Sequence, residues 1–269
     1  MASVENIAKR RILMQNNLTD GVREAYLKAF RRAASASYGS GMPPTFFEFK
    51  KSLILDAEIN IIIDALVADI YKLILRYSGM GADLAAEKNE TEEPSDYLPF
   101  VFRDIKGKNI EDRMTGYKED AKYEFEAIIA ASMLLKKPIG SIVSEFSQYV
   151  TTPYSSPSFK SVISGKEKYL FSAKMLLRKG VVYGQSGKYN SALNSFKRLS
   201  ESSVADAFGF ADLDYMQRRG AIGYFANRGS SYPCQICDDN VGFHPIGEMT
   251  LPVHSRCMCY STPVFAGDL

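Results

Sequence analysis

The cysteines and histidines of this chain are confined to one short window near its carboxyl end. The 269 residues include four cysteines and two histidines, and all of them lie between Cys234 and Cys259. Thiolate and imidazole are the usual zinc ligands of proteins, and a Cys-x-x-Cys turn lets two sulfurs converge on one ion at about 2.3 Å. We expect the tail to fold around a metal, because so short a segment has too little apolar surface to hold itself together.

Five side chains are the candidate metal ligands, namely Cys234, Cys237, His254, Cys257 and Cys259. They outnumber the four places of a tetrahedral site, which favours a closed, structural zinc over a catalytic zinc with an open position. In an extended Cys-x-Cys segment the two side chains point to opposite faces, so Cys257 and Cys259 share one ion only if the chain curls between them. We therefore favour Cys234, Cys237 and Cys257, with His254 and Cys259 as alternatives for the fourth place.

The other histidine is not expected to bind the metal, and the cysteines are expected to be reduced. His244 precedes Pro245 and is expected to be an ordinary surface histidine in a loop. Disulfide bonds are the main alternative to a metal, and the sequence alone does not choose among their pairings. They are disfavoured because residues 1–15 lack an export signal, which predicts an intracellular chain in a reducing compartment, and because His254 stands in register with Cys257.

The composition is that of a globular protein with a sizeable core. Hydrophobic residues make up 46% of the chain, and the formal net charge is only +2. A charge this small does not predict general binding to nucleic acids or to anionic membranes. The most apolar stretch, residues 59–75, is interrupted by polar and charged residues, so we predict no membrane-spanning segment.

Hydrophobic periodicity predicts a helical body in front of the cysteines. A first helix is expected over residues 20–39. Thr45 and Glu48 form a capping box that predicts the start of a long helix, which Gly79 and Gly81 are expected to end. Residues 87–99 are acidic and contain two prolines, which indicates a loop. Further helices are predicted over residues 119–137, 138–150, 159–183 and 193–215, and short strands over residues 222–226 and 260–265.

These patterns together predict a mainly α fold, in which a helical body carries a small C-terminal α+β tail stabilised by zinc. We expect residues 1–150 to form a helical region and residues 151–269 to form the region that carries the Cys/His motif at residues 234–259.

The tail resembles the signature of a known family. It runs C-x-x-C-x-x-x-x-G from Cys234, then a spacer, and then P-x-H-x-x-C-x-C from Pro252. This is similar to the C-terminal signature of the phage Mu F-like and SPP1 gp7-like head morphogenesis proteins, which are minor capsid proteins of tailed phages and usually end in P-P-x-H-P-x-C-R-C. The spacing is kept, and the resemblance covers about residues 138–265. The departures are Leu251, Ser255 and Met258.

The resemblance implies a function in the virion. Members of this family are structural, low-copy proteins of the portal vertex or capsid interior that act in head assembly and in DNA packaging or ejection. The implied partners are the portal protein, the major capsid protein or both, with docking through the helical region 1–150, and contact with packaged DNA is left open. The implied location is the virion, after assembly in the host cytoplasm, and no membrane or enzymatic activity is expected.

Two alternatives remain open. A zinc-ribbon-type nucleic-acid-binding module is suggested by basic residues near the motif, namely Arg218, Arg219, Arg228 and Arg256. An ADP-ribosyltransferase-type toxin is a weaker alternative, suggested by Arg198 and Glu201 and by the occurrence of such modules beside domains of the phage family. A pair at this spacing is more often a surface ion pair, and the absence of any histidine before the tail disfavours hydrolase chemistry.

Overall fold

Helices dominate the fold, and a small sheet follows them. The computed structural model describes residues 4–105, 107–144, 191–248, 251–254 and 256–268. The α-helices are α1 (Val4–Gly39), α2 (Leu53–Lys88), α3 (Leu98–Val101), α4 (Ile110–Leu134), α5 (Ala192–Arg218) and α6 (Gln235–Asp238). Residues 139–144 are also helical. The strands are β1 (Gly223–Asn227), β2 (Gly242–Pro245) and β3 (Tyr260–Val264). The predicted class, mainly α with a small C-terminal α+β tail, is confirmed.

The three strands form one antiparallel sheet in the order β2-β1-β3. Tyr224 of β1 pairs with His244 of β2, and Phe225 pairs with Phe243. Side chains alternate across β1, so that Tyr224 and Ala226 are buried while Phe225 is exposed. The two predicted strands are confirmed. β2 was not predicted, because four residues that include a glycine and a proline are too few to show an alternating pattern.

The first helix begins at Val4, well before the predicted start at Asp20. Its buried side chains recur every three or four residues, but polar ones, Arg11 and Gln15, occupy the buried face. These two residues interrupt the apolar period, which is why the sequence pattern did not reveal the first half of the helix. The end of α1 at Gly39 agrees with the prediction.

Both predicted ends of the long second helix were wrong. Thr45 lies in a 3-10 turn, Pro44–Phe46, and α2 begins at Leu53, where the N–H of Leu55 donates to Ser52 Oγ at 3.3 Å. The helix also continues through the glycines at positions 79 and 81 to Lys88. A Cβ at position 81 would lie 3.0 Å from the carbonyl oxygen of Val204 in α5, so this glycine permits two helices to approach closely and does not end one.

The later helices agree with the predictions in part. α5 confirms the helix predicted over residues 193–215, and residues 89–97 form the predicted connection. α4 begins at Ile110, earlier than predicted, because charged residues of its first turns dilute the apolar pattern. Residues 145–150 of the helix predicted from Pro138, and the helix predicted over residues 159–183, lie outside the described residues. The division at residues 150 and 151 therefore stays a prediction.

The chain divides into two compact units, each discontinuous in sequence. Unit 1 contains Met1–Gly21, Tyr71–Ile110 and Lys197–Leu269, and unit 2 contains Val22–Ile70 and Glu111–Phe196. No helix of the described ranges is long and apolar enough to cross a bilayer.

Unit 2 has an aromatic core that contains a buried carboxylate. Tyr26 and Phe30 each contact the edge of the Phe125 ring, with centroid separations of 5.0 and 5.2 Å. The buried Glu124 accepts hydrogen bonds from the Tyr26 hydroxyl at 2.8 Å and from the backbone N–H of Ala192 at 2.7 Å. The second bond satisfies a free N–H at the start of α5, where a negative charge is also favoured by the helix dipole.

The core of unit 1 consists of two apolar clusters. One lies between helices and includes Ile7 of α1, Ala85 of α2 and Phe208 of α5. The other lies between the end of α5 and the sheet, and it includes Met216, Tyr224 and three of the four cysteines. The cysteines are thus part of the packing that joins the sheet to α5.

Candidate metal centre

Short local structures place the cysteine and histidine side chains. Cys234 immediately precedes α6 and Cys237 lies within it, and this single turn directs both sulfurs to one side. The carbonyl of Cys234 accepts the N–H of Asp238 at 2.9 Å, which closes the turn. A second turn follows β2, where the N–H of Cys257 donates to the carbonyl of His254 at 3.1 Å. Cys259 directly precedes β3.

The separations between donor atoms are close to those of a tetrahedral metal site. The Nε2 atom of His254 lies 3.2 Å from Cys237 Sγ and 3.5 Å from Cys234 Sγ. Cys237 Sγ lies 3.6 Å from Cys257 Sγ. Two ligands bound to one zinc at ordinary bond lengths and tetrahedral angles lie about 3.5–3.8 Å apart. These side chains therefore need little rearrangement to hold an ion.

The donor atoms fall into two overlapping groups, each within 4.8 Å. Cys234, Cys237 and His254 form one group, and Cys237, Cys257 and Cys259 form the other. Cys237 belongs to both, so the five predicted side chains make one cluster that could hold a metal ion. All four cysteines are free thiols, and none of them forms a disulfide bond.

Backbone N–H groups favour the thiolate form of two cysteines. The N–H of Cys259 donates to Cys257 Sγ at 3.3 Å. A hydrogen bond from the backbone N–H of Cys237 is the main reason that the pKa of Cys234 is lowered. A hydrogen bond to the charged form of a group favours that form. Cys234 is thus prepared to act as an anionic ligand, while at Cys257 the N–H of Cys259 offsets only part of the effect of burial on the pKa.

Burial opposes ionisation elsewhere in the cluster. It raises the pKa of the Cys237 and Cys257 thiols, and it lowers the pKa of His254, with a further contribution from the charge of Arg11. A neutral imidazole is the form that binds metals, while the thiols need a nearby cation in order to lose their protons. A bound metal ion would supply that charge at the centre of the cluster.

His244 lies in β2 and belongs to neither group of donors. Its ring stacks on Tyr224 with a centroid separation of 5.4 Å, and its Nε2 atom lies 3.0 Å from the carbonyl oxygen of Asn240. It is partly buried in the sheet, whereas the sequence predicted a surface histidine in a loop.

A buried arginine from the first helix also reaches the cluster. The Arg11 side chain is 1% exposed, donates from Nη2 to the carbonyl oxygen of Cys257 and lies 4.7 Å above the Phe208 ring. Burial lowers the pKa of Arg11 to about 10, so it stays charged at neutral pH. Sequence analysis missed this residue. The available clue was a polar residue on the apolar face of a helix, four positions after Ile7.

The arginines near the motif are largely engaged within the chain. Arg256 donates to the buried carboxylate of Glu201. Arg228 contacts Asp238 at 2.6 Å and also donates to nearby backbone carbonyls. Arg218 lies 2.8 Å from Asp214. Glu201 was expected at the surface with Arg198, but it is buried and tied to the metal-site segment.

An open cavity of about 200 Å³ lies beside the cluster. It is lined by Cys234 and His254, which are partly exposed, and by Arg228, Tyr232 and Arg256. Cys234 and His254 therefore face solvent through this cavity, while Cys237, Cys257 and Cys259 are buried.

Comparison with known proteins does not assign the chain to a group. No protein-family model, no curated protein and no solved structure matches it.

Proposed function

We propose that this chain is a structural, minor head protein of a tailed phage, associated with the portal vertex or the capsid interior. Its helical body would dock on the portal or capsid protein, and its C-terminal tail would be stabilised by one zinc ion. In this role the protein acts in head assembly and in DNA packaging or ejection and catalyses no reaction.

One observation supports this proposal above the others. The motif that resembles the head morphogenesis signature is also the segment whose donor atoms meet in space, with Cys237 shared by both groups of donors. The spacing of a motif can arise by chance, but a metal-binding function also requires that its donor atoms lie close together, as they do in these two groups.

Zinc is the metal that this donor set favours. Thiolate and imidazole donors in a tetrahedral arrangement are typical of structural zinc, while oxygen-rich sites are typical of magnesium and calcium. We expect protein purified under reducing conditions to contain one equivalent of zinc by elemental analysis.

Substitution of the shared ligand tests the metal site. Cys237→Ser should abolish stoichiometric zinc binding and lower the melting temperature, because Cys237 belongs to both groups of donors. His244→Gln is the matched control, since His244 is the histidine outside these groups, and it should keep its zinc. Retention of zinc by Cys237→Ser, or its loss from His244→Gln, would contradict the proposed site.

The virion function is tested on intact particles. Mass spectrometry of purified particles should detect the chain at low copy number, and cryo-electron microscopy should locate it at the portal vertex or on the inner side of the shell. Absence of the chain from purified particles, or a position outside the head and portal, would refute this function.

A zinc-ribbon-type nucleic-acid-binding module is the second candidate. The arginines around the motif favoured it, but Arg218, Arg228 and Arg256 each contact an acidic side chain of the same chain, which reduces the charge available to phosphates. DNA binding that weakens steeply with added salt would favour this candidate. The transferase-type toxin gains no support from Glu201, whose carboxylate is buried against Arg256 and so is poorly placed to meet a substrate.

A further inference from the structure

The charges buried around the metal cluster are almost balanced. In unit 1, Lys88 Nζ lies 2.6 Å from the carboxylate of Asp212, and both side chains are less than one-tenth exposed. Glu201 is likewise paired with Arg256. Each of these pairs is neutral as a whole.

Arg11 carries a buried positive charge that neither of these pairs neutralises. Its guanidinium donates to a backbone carbonyl, that of Cys257, and stacks on Phe208, and both partners are uncharged. Its Nε atom is buried without a hydrogen-bond partner among the described residues. A buried, uncompensated charge costs several kcal/mol, so a counter-charge is required nearby. The charge of Asp212 also acts on Arg11, but Asp212 is already paired with Lys88. Among the described residues, the Cys/His cluster is the neighbouring group that can supply the counter-charge.

The charge of a zinc centre depends on its ligands. Zinc bound by three thiolates and one neutral imidazole carries a single net negative charge, whereas zinc bound by four thiolates carries a double one. A single negative charge balances Arg11. A four-thiolate site adds a second negative charge, and the cations that line the cavity beside the cluster, Arg228 and Arg256, are already paired with Asp238 and Glu201.

We propose that Arg11 is the fixed counter-charge of the metal centre and that it selects Cys234, Cys237, His254 and Cys257 as the ligands, with Cys259 left outside the ligand set. The inference rests on the metal site of the proposed function. The contacts bring an imidazole to the fourth place, because His254 Nε2 lies 3.2 Å from Cys237 Sγ, and Cys257 Sγ lies 3.6 Å from the same sulfur. The sulfur of Cys259 lies in the same group as those of Cys237 and Cys257, so charge and not distance selects between His254 and Cys259. Arg11 acts here as a positioning residue and does not touch the ion.

X-ray absorption spectroscopy of the zinc-loaded, full-length protein reads the ligand set directly. We expect a first shell of three sulfurs and one nitrogen. A shell of four sulfurs would overturn the proposal. Cys259→Ser should bind zinc within about twofold of the unmodified protein, because its thiol is outside the ligand set, and loss of zinc from this variant would equally overturn it.

Three arginine variants separate the charge of Arg11 from its packing. Arg11→Gln should weaken zinc binding about 10- to 100-fold in competition with a chromogenic chelator, which is the usual effect of removing a group that supports metal ligands. Arg11→Lys keeps the charge and should retain most of the affinity. Arg10→Gln is the matched control, since Arg10 is the preceding residue, is partly exposed and pairs with Glu87, and it should bind zinc normally.

The outcomes that contradict the proposal are specific. Equal weakening in Arg11→Lys and Arg11→Gln would show that the contact matters and the charge does not. Normal zinc affinity in Arg11→Gln would show that Arg11 has no role in zinc binding. If Arg11→Gln does not fold, the number of sulfur ligands from X-ray absorption and the zinc affinity of Arg11→Lys still test the proposal. All of these measurements use purified protein, so failure of the virion function would leave their outcome unchanged.

Discussion

Gly229 lets the backbone after β1 pass close to the cysteines of the metal site. A Cβ at this position would overlap the carbonyl oxygen of Met258, which lies between Cys257 and Cys259. Because the obstacle is backbone and not a flexible side chain, any larger residue must displace the Cys-x-Cys segment itself. At the scale of single residues, the metal site thus depends on a glycine that is not one of its ligands.

Gly229→Ala should therefore destabilise the protein and weaken its zinc binding. Overpacking of this kind costs about 1–3 kcal/mol. Melting curves with and without added zinc measure both effects. Gly267→Ala is the control, because a Cβ at that position meets no atom within 4 Å, and it should behave like the unmodified protein. Equal melting temperatures for the two variants would contradict the predicted overlap.

Glu126 gives unit 2 a defined pH dependence. Burial raises the pKa of this carboxyl above its ordinary value of 4.5, and the N–H of Phe49, which donates to Glu126 Oε2 at 2.8 Å, offsets only part of that rise. The folded protein therefore keeps this proton to a higher pH than the unfolded chain does. The contribution of Glu126 to stability is greatest below the unfolded pKa and is lost as the pH rises through the folded pKa.

Glu126→Gln should consequently be more stable than the unmodified protein at neutral pH, and the difference should shrink toward about pH 4. Glutamine keeps an oxygen that accepts the Phe49 N–H and carries no charge to bury. Urea unfolding at several pH values measures the difference, with Glu58→Gln as an exposed control. A variant that is less stable than the unmodified protein at neutral pH would show that burial of the charge is not the dominant effect.

At the scale of elements, one buried polar network joins two helices to the sheet. Lys88 at the end of α2 contacts Asp212 of α5 and Ser261 of β3, with the Lys88 Nζ to Ser261 Oγ distance at 2.6 Å. The neighbouring Asn89 donates to Asp212 Oδ1 at 2.8 Å. Desolvation lowers the pKa of Lys88, and the charge of Asp212 opposes that shift. The network fixes the end of α2 against the strand that follows the cysteines.

Lys88→Met should destabilise unit 1 by about 3–5 kcal/mol, because it leaves Asp212 buried without its cation. Lys72→Met, an exposed change on the same helix, should shift stability by only about 0.5 kcal/mol. The double variant Lys88→Met with Asp212→Leu should recover much of the loss, since both charges are then removed. Urea denaturation measures all three. A loss in Lys88→Met no larger than that in Lys72→Met would contradict a role for the ion pair.

At the scale of the whole molecule, each of the two units is stabilised by a different kind of core. The aromatic core of unit 2, around Phe125, needs no metal. In unit 1, three cysteines of the metal cluster belong to the apolar cluster that packs the sheet on α5. Loss of the metal should therefore affect the units unequally.

Removal of zinc by a chelator under reducing conditions should increase amide hydrogen exchange in β1, β3 and α6, while residues 22–70 of unit 2 keep their protection. The expected reason is that the tail has too little apolar area to stay ordered when its thiols are released. Hydrogen exchange read by mass spectrometry resolves these segments. Unchanged exchange in β1 and β3 after complete zinc removal would show that the metal is not required for the order of the tail.

The sequence by itself determined the helical class, the later strands and the cysteine and histidine side chains that meet, because these depend on residue type and short-range spacing. Only the tertiary structure revealed the early start of α1, the continuation of α2 past its glycines and the burial of Arg11, Lys88 and Glu201. Each of these depends on a partner far away in the chain: Gly81 meets Val204, and Arg11 meets Cys257. Local sequence patterns show which side chains a segment contains. Long-range packing decides which of these side chains are buried and which charged groups they contact.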